Sequence, residues 1–218
     1  PQFPDINLIQ HLVSASILSI PAAIMYANIM IPSSKITNFD GSSVPKVYDS
    51  SMDAITRGTR DGLEICLNVA AILIAFIALV SLLNSILGIA GNWIGLNDLS
   101  LQLILGYIFF PIVWLMGVPT SEALVGAELL GLKTALNEFV AYGALANIEP
   151  DLLSDKSKLI ILYGLCGFAN FSSVGILVTG ISAMAPERKN DLIKVSLKAL
   201  IGATLASCMT GLVIGLLI

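Results

Sequence analysis

The chain has 218 residues, 56% of them hydrophobic and only 12% charged, with a formal net charge of −4 and a mean hydropathy of +0.89. A soluble domain carries about 25% charged residues, so this apolar surface exceeds what one water-facing fold can hide, and lipid is the solvent for much of it. The small negative charge argues against nucleic acid as a partner. One histidine and three cysteines scattered through apolar runs (Cys66, Cys166, Cys208) argue against a metal centre.

The opening "PQFPDIN" is loop-like, carries no secretory n-region and does not begin with Met, as expected of a piece of a longer protein. Residues 8–31 form the first apolar segment, long enough to cross roughly 30 Å of hydrocarbon. Within it "SASILSIP" ends in Pro21, where an interruption is expected because proline removes an N–H and clashes with the preceding turn. After a polar stretch, residues 45–61 are expected to lie at the interface as an amphipathic segment. Spans follow at 63–88 and 99–118, the second aromatic-rich and containing Pro111, with Trp93 between them suited to the headgroup region.

The next stretch, 120–150, sets Glu122, Glu128, Lys133, Asn137 and Glu138 among apolar residues. A charge at the bilayer centre costs about 2.5–3.5 kcal/mol on insertion scales, so one spanning helix fits poorly. Two short half-helices opening to one side fit better, as a re-entrant hairpin whose tip lies against protein or a water-filled cavity. The span 158–184 contains "GFANFSS", and the last span, 192–218, carries Gly202, Ala203, Ala206, Ser207 and Gly211 as a small-residue packing face. The fold class expected is an all-α, multi-pass membrane protein of transmembrane helices, some interrupted, with one re-entrant hairpin.

Three features carry chemistry. Asn170, Ser172 and Ser173 sit among Gly164, Gly167 and Gly175, so the helix is weakest where its side chains are hydrophilic. Unwound backbone there exposes N–H and C=O groups that need a ligand or water; the competing reading is hydroxyl back-bonding and interhelical glue. Glu138, an intramembrane carboxylate, could take a proton, attract a cation or accept hydrogen bonds from substrate hydroxyls. The alternative is an external loop with Glu138 solvated. Ser19 and Ile20 just before Pro21, which frees carbonyl oxygens near Ser16–Ser19, make a small-cation site or a simple proline kink. "HLVSASILSIPAAI" (11–24) and "GLCGFANFSSVGIL" (164–177) share small and hydroxyl residues followed by a break; paired interruptions of this kind point to a transporter's binding site.

"HLVSASILSIPAAI", "GLEICLNVAAILIAFIALV", "KTALNEFVAY", "GFANFSSVGI" and "MAPERKNDL" resemble, in this order, the C-terminal half of the concentrative nucleoside transporters. The resemblance implies an inverted-repeat fold and a homotrimer in the cell membrane. It also implies symport of nucleosides (uridine, cytidine, adenosine) with Na+ or H+ by an elevator-like motion, without enzymatic chemistry or a cofactor. Carried over by motif, Glu138, Asn170 and Ser173 would bond the ribose hydroxyls. Phe168, Ile24 and Leu63 would line the base, and Ser19 with the Ile20 carbonyl would help hold Na+. "PERKND" would face the cytoplasm. The family's first hairpin, which reads the base and supplies further cation ligands, has no counterpart in the chain. Two other classes stand beside this reading. A membrane gating or structural protein would find Glu138 dispensable. An intramembrane hydrolase using Ser173 would need a base within about 3 Å, whereas the one histidine, His11, opens a different span.

Overall fold

The structure, a computed structural model, describes residues 8–32, 49–93, 95–96 and 99–218. Among them there are helices and no strands. In chain order these are α1 (Leu8–Met30), α2 (Ser51–Trp93), α3 (Leu101–Leu115), α4 (Thr120–Ala135), α5 (Glu138–Ala146), α6 (Asp155–Leu165), α7 (Phe171–Met184) and α8 (Lys189–Leu217), with single 3₁₀ turns at Pro150–Leu152 and Pro186–Arg188. Among the described residues three stretches are long and apolar enough to cross a membrane: Ile9–Met30, Ser51–Trp93 and Pro186–Leu217.

Two sequence expectations change here. Helix α1 runs unbroken through Pro21. Proline there costs one ladder bond, and the turns on either side, packed along α8 through the small residues Ala15 and Ala22, hold the helix through it. The charged segment before the second span is likewise no separate interfacial piece: residues 51–61 belong to α2, and 45–48 lie outside the described residues. No proline stands between Ser51 and Trp93 to stop the helix, and Asp53 pairs with Arg57 one turn on at 2.7 Å. The resulting 43 residues extend about 65 Å, twice the hydrocarbon thickness, so one end of α2 stands outside the bilayer.

The apolar core is built by α3 to α6 together with α8. Helix α3 is seated on α2 by Asn84, which accepts from the Leu101 N–H at 2.8 Å and donates to Gln102 Oε1 at 2.9 Å, while Ser100 caps the helix by accepting from the Leu103 N–H. Helix α4 lies along α3 and doubles back into α5. Val113, Ala123, Ala127, Ile160, Ile161 and Leu165 are fully enclosed between these elements. The small-residue face of α8 buries Gly202, Ala206, Ser207 and Gly211. A Cβ on Gly211 would lie 2.7 Å from the Ile160 carbonyl oxygen, so only glycine lets α6 approach this closely. By contrast α1 and α2 bury little inside the chain, 11% and 6% of their most apolar windows against 39% for α8, and their side chains face lipid or other protein.

Candidate functional site

The candidate site forms where two helix starts meet. Helix α4 ends at Ala135, Leu136 turns the chain, and Asn137 in extended backbone caps α5 by accepting from the Val140 N–H at 3.0 Å. Glu138 is therefore the first residue of α5, where the positive end of the helix dipole favours a carboxylate. On the other side α6 stops at Leu165, and residues 166–170 are unwound. Two tight three-residue turns carry the chain across, Gly167 N–H to Leu165 O at 2.9 Å and Ala169 N–H to Gly167 O at 2.8 Å. Asn170 then starts α7 with a reciprocal capping box: its Oδ1 accepts from the Ser173 N–H at 2.7 Å, and its own N–H donates to Ser173 Oγ at 3.1 Å.

That box fixes which way the Asn170 amide points. Its Oδ1 is committed to the Ser173 N–H and to the Ser172 hydroxyl, both at 2.7 Å, so Nδ2 must face outward. It donates to Glu138 Oε2 at 3.1 Å, across from α7 to α5. Asn170, Ser172 and Ser173 are fully buried, whereas Glu138 is half-buried. No donor among the described residues takes Glu138 Oε1, and the second Asn170 Nδ2 hydrogen is likewise unshared. The pair therefore offers an acceptor and a donor side by side, the complement of a hydroxyl-bearing ligand.

The other candidate residues stand differently. Ser173 Oγ donates to the Asn170 carbonyl at 2.6 Å, so its hydroxyl is already engaged in the box. Ser173 and half-exposed Phe168 both line an apolar cavity of about 190 Å³ between α7 and α8. Ile24 and Leu63 are more than half exposed on α1 and α2, outside the hydrogen-bonded cluster. Ser19 Oγ turns back onto the Ser16 carbonyl at 2.7 Å, within an intact helix that also contains Ile20. One hydroxyl and one helical carbonyl fall well short of the oxygen shell a hard cation takes. Among the described residues no cluster of three His, Cys, Asp or Glu could hold a metal ion.

Two side chains of the cluster, both visible in the sequence, were not among the residues assigned a binding role by motif. Ser172 orients the Asn170 amide and also lies 3.5 Å from the Leu136 carbonyl at the hairpin turn. Lys133 is completely buried in the last turn of α4 and donates to the Gly164 carbonyl at 3.0 Å and to Ser207 Oγ at 2.8 Å. Its signal in the sequence was a cation inside an apolar helix, which demands partners.

Residues 11–215 match the family described as Na+ dependent nucleoside transporter C-terminus. The chain belongs to the concentrative nucleoside transporter family. It is 40% identical to an uncharacterized transporter of Haemophilus influenzae over 95% of this chain and 52% of the relative. It is 36% identical to the nucleoside permease NupC of Helicobacter pylori over 95% of this chain and 51% of the relative. A solved structure of a CNTnw variant in an intermediate state superposes with a TM-score of 0.83 at 38% identity, over 95% of this chain and 51% of that one. The chain thus spans about half the length of the nucleoside permease and transporter it matches. With these relatives and its apolar helices, this family member is an integral, multi-pass membrane protein.

Proposed function

We propose that this chain is the C-terminal portion of a secondary active symporter that couples nucleoside uptake to a Na+ gradient. It would carry the substrate by an elevator-like movement without altering it chemically. The observation that carries the reading is the Glu138–Asn170 pair. A ribose presents vicinal hydroxyls that can each donate and accept. Glu138 Oε1 accepts a hydrogen bond from one hydroxyl, and Asn170 Nδ2 donates one to a hydroxyl oxygen. A site built this way rejects analogues that lack the hydroxyl, because its own polar groups would be left unpaired.

In this reading the α4–α5 hairpin is re-entrant, and its tip meets the unwound segment at mid-membrane depth. Ser173 contributes from behind Asn170, and Phe168 packs near the base. Ile24 and Leu63, exposed in this chain, would reach the base only when the rest of the transporter closes over α1 and α2. Ser19 and the Ile20 carbonyl would contribute to Na+ binding, with the remaining oxygens coming from the part of the transporter that this chain does not span. The transporter would assemble as a homotrimer, with "PERKND" in the cytoplasm.

The test is Glu138→Gln in the complete transporter, reconstituted in proteoliposomes. Gln keeps the size but replaces one acceptor oxygen by an NH2 group. Uridine binding should be abolished while the variant remains folded, and wild-type uptake should follow an imposed Na+ gradient rather than a proton gradient. Unchanged uridine affinity in Glu138→Gln would leave the cluster with a structural or gating role.

A further inference from the structure

Lys133 is the one charged side chain that the chain encloses completely among the described residues. An apolar side chain of the same volume would be easier to bury, because an ammonium must exchange its hydration for fixed partners. Its charge therefore has a use other than filling space. Two of its three donors are committed, one to the Gly164 carbonyl in the last turn of α6 and one to Ser207 Oγ on α8. The first is a carbonyl at the negative end of a helix dipole, which suits a cation. The Ser207 hydroxyl is in turn anchored by donating to the Thr204 carbonyl at 2.9 Å.

The position of this tie matters. Lys133 stands five residues before Glu138 on the hairpin, and Gly164 stands six before Asn170 on the broken helix. The same two elements that meet at the Glu138–Asn170 contact are thus joined a second time, one layer deeper. Between the two layers runs Gly167, where a Cβ would come within 2.9 Å of Ser207 Cβ and 3.6 Å of Lys133 Nζ. The unwound segment rests directly on the Lys133–Ser207 pair, with no room for a side chain.

We infer that Lys133 is a positioning residue for ligand recognition: through Gly164 and Ser207 it holds the hairpin tip against the unwound segment, so that Glu138 and Asn170 face the ligand hydroxyls at matched height. This rests on the reading of Glu138 and Asn170 as nucleoside contacts. A residue that only stabilised the fold would, when replaced, weaken every ligand alike. A residue that sets the hydroxyl-reading pair should instead erode selectivity for the hydroxyls.

The experiment compares uridine with 2′,3′-dideoxyuridine in the complete transporter, by equilibrium binding to the purified wild type and to Lys133→Met, Ser207→Ala and Glu138→Gln. Lys133→Met should weaken uridine at least tenfold and dideoxyuridine less than threefold, so the preference for uridine collapses. Ser207→Ala, which removes one partner and keeps the cation, should shift the preference the same way by a smaller factor. It carries the test if Lys133→Met does not fold. Equal weakening of both ligands, or an unchanged preference in the folded variants, overturns the inference. If Glu138→Gln erodes the preference and the Lys133 and Ser207 variants do not, only the role of Lys133 fails. If Glu138→Gln also leaves the preference intact, the nucleoside-contact reading and the inference fall together.

Discussion

Replacing Asn170 separates the two jobs that its amide performs. Asn170→Ala removes an N-cap, worth about 0.5–2 kcal/mol. It also leaves the buried Ser173 N–H and the Ser172 hydroxyl without their acceptor. One buried donor left unsatisfied costs about 1–3 kcal/mol; the hydroxyl can turn toward the Leu136 carbonyl 3.5 Å away, so it adds little. Both figures describe the loss of the same Ser173 N–H bond, so the expected loss of stability is roughly 1–3 kcal/mol. Asn170→Asp is the informative partner. Aspartate caps a helix as well as asparagine does, and its oxygens still accept from Ser172 and Ser173. It can no longer donate to Glu138, however, and it sets a second carboxylate where Nδ2 now lies 3.1 Å from Oε2. Two like charges at about 4 Å repel by about 4 kcal/mol at an effective dielectric constant of 20. Detergent-solubilised transporter should therefore melt below the wild type for both variants, for Ala through the lost cap and for Asp through the repulsion, while both lose uridine binding by isothermal titration at least a hundredfold. Wild-type affinity in Asn170→Asp would refute the argument that Nδ2 and Glu138 form one recognition pair.

Other substitutions test neighbouring links. Ser172→Ala leaves the Asn170 amide held by the Ser173 N–H alone, and uridine affinity should fall by about twofold to thirteenfold with little change in melting, given about 0.5–1.5 kcal/mol net for one hydrogen bond. Ser19→Ala should raise the Na+ concentration needed for half-maximal uptake without changing uridine affinity at saturating Na+; an unaltered Na+ dependence would remove Ser19 from the cation site. Gly211→Leu forces a side chain toward the Ile160 carbonyl and the α6 backbone. It should destabilise by about 1–3 kcal/mol or more by overpacking, seen as a lower melting temperature, and wild-type melting would show that α6 and α8 are not in close contact.

What the sequence revealed followed from contrast with an apolar background. The break at 166–170 was legible because glycine, asparagine and serine crowded one stretch of an otherwise lipid-compatible run. The hairpin between α4 and α5 was legible because its charges could not cross as one span. The uninterrupted α1 was not, since a single proline removes one ladder bond, and whether the helix continues depends on what packs beside it. The continuity of α2 was hidden because charged residues at 53–61 read equally as an interfacial segment and as a helix emerging from the membrane. Lys133 was visible as a charge, but its partners lie 31 and 74 residues away, and no local pattern specifies them.

The cluster also shows why a broken helix suits a recognition site in a membrane. In hydrocarbon a backbone N–H or C=O without a partner is costly, so an unwound segment persists only if something local satisfies it. Here the capping box and the two tight turns do most of that work inside residues 165–173. On the function proposed above, the break needs no ligand to satisfy its backbone, and Asn170 would be already aimed when the ligand arrives. Preorganisation of this kind lowers the ordering cost of binding. It also places the remaining freedom at the contact between the hairpin tip and the break, joined above the deeper Lys133 tie by Asn170 to Glu138 at 3.1 Å and by Ser172 to the Leu136 carbonyl at 3.5 Å. A ligand hydroxyl inserted at that contact would be felt by both elements at once, which is the physical requirement for linking occupancy of the site to movement of the hairpin against the broken helix.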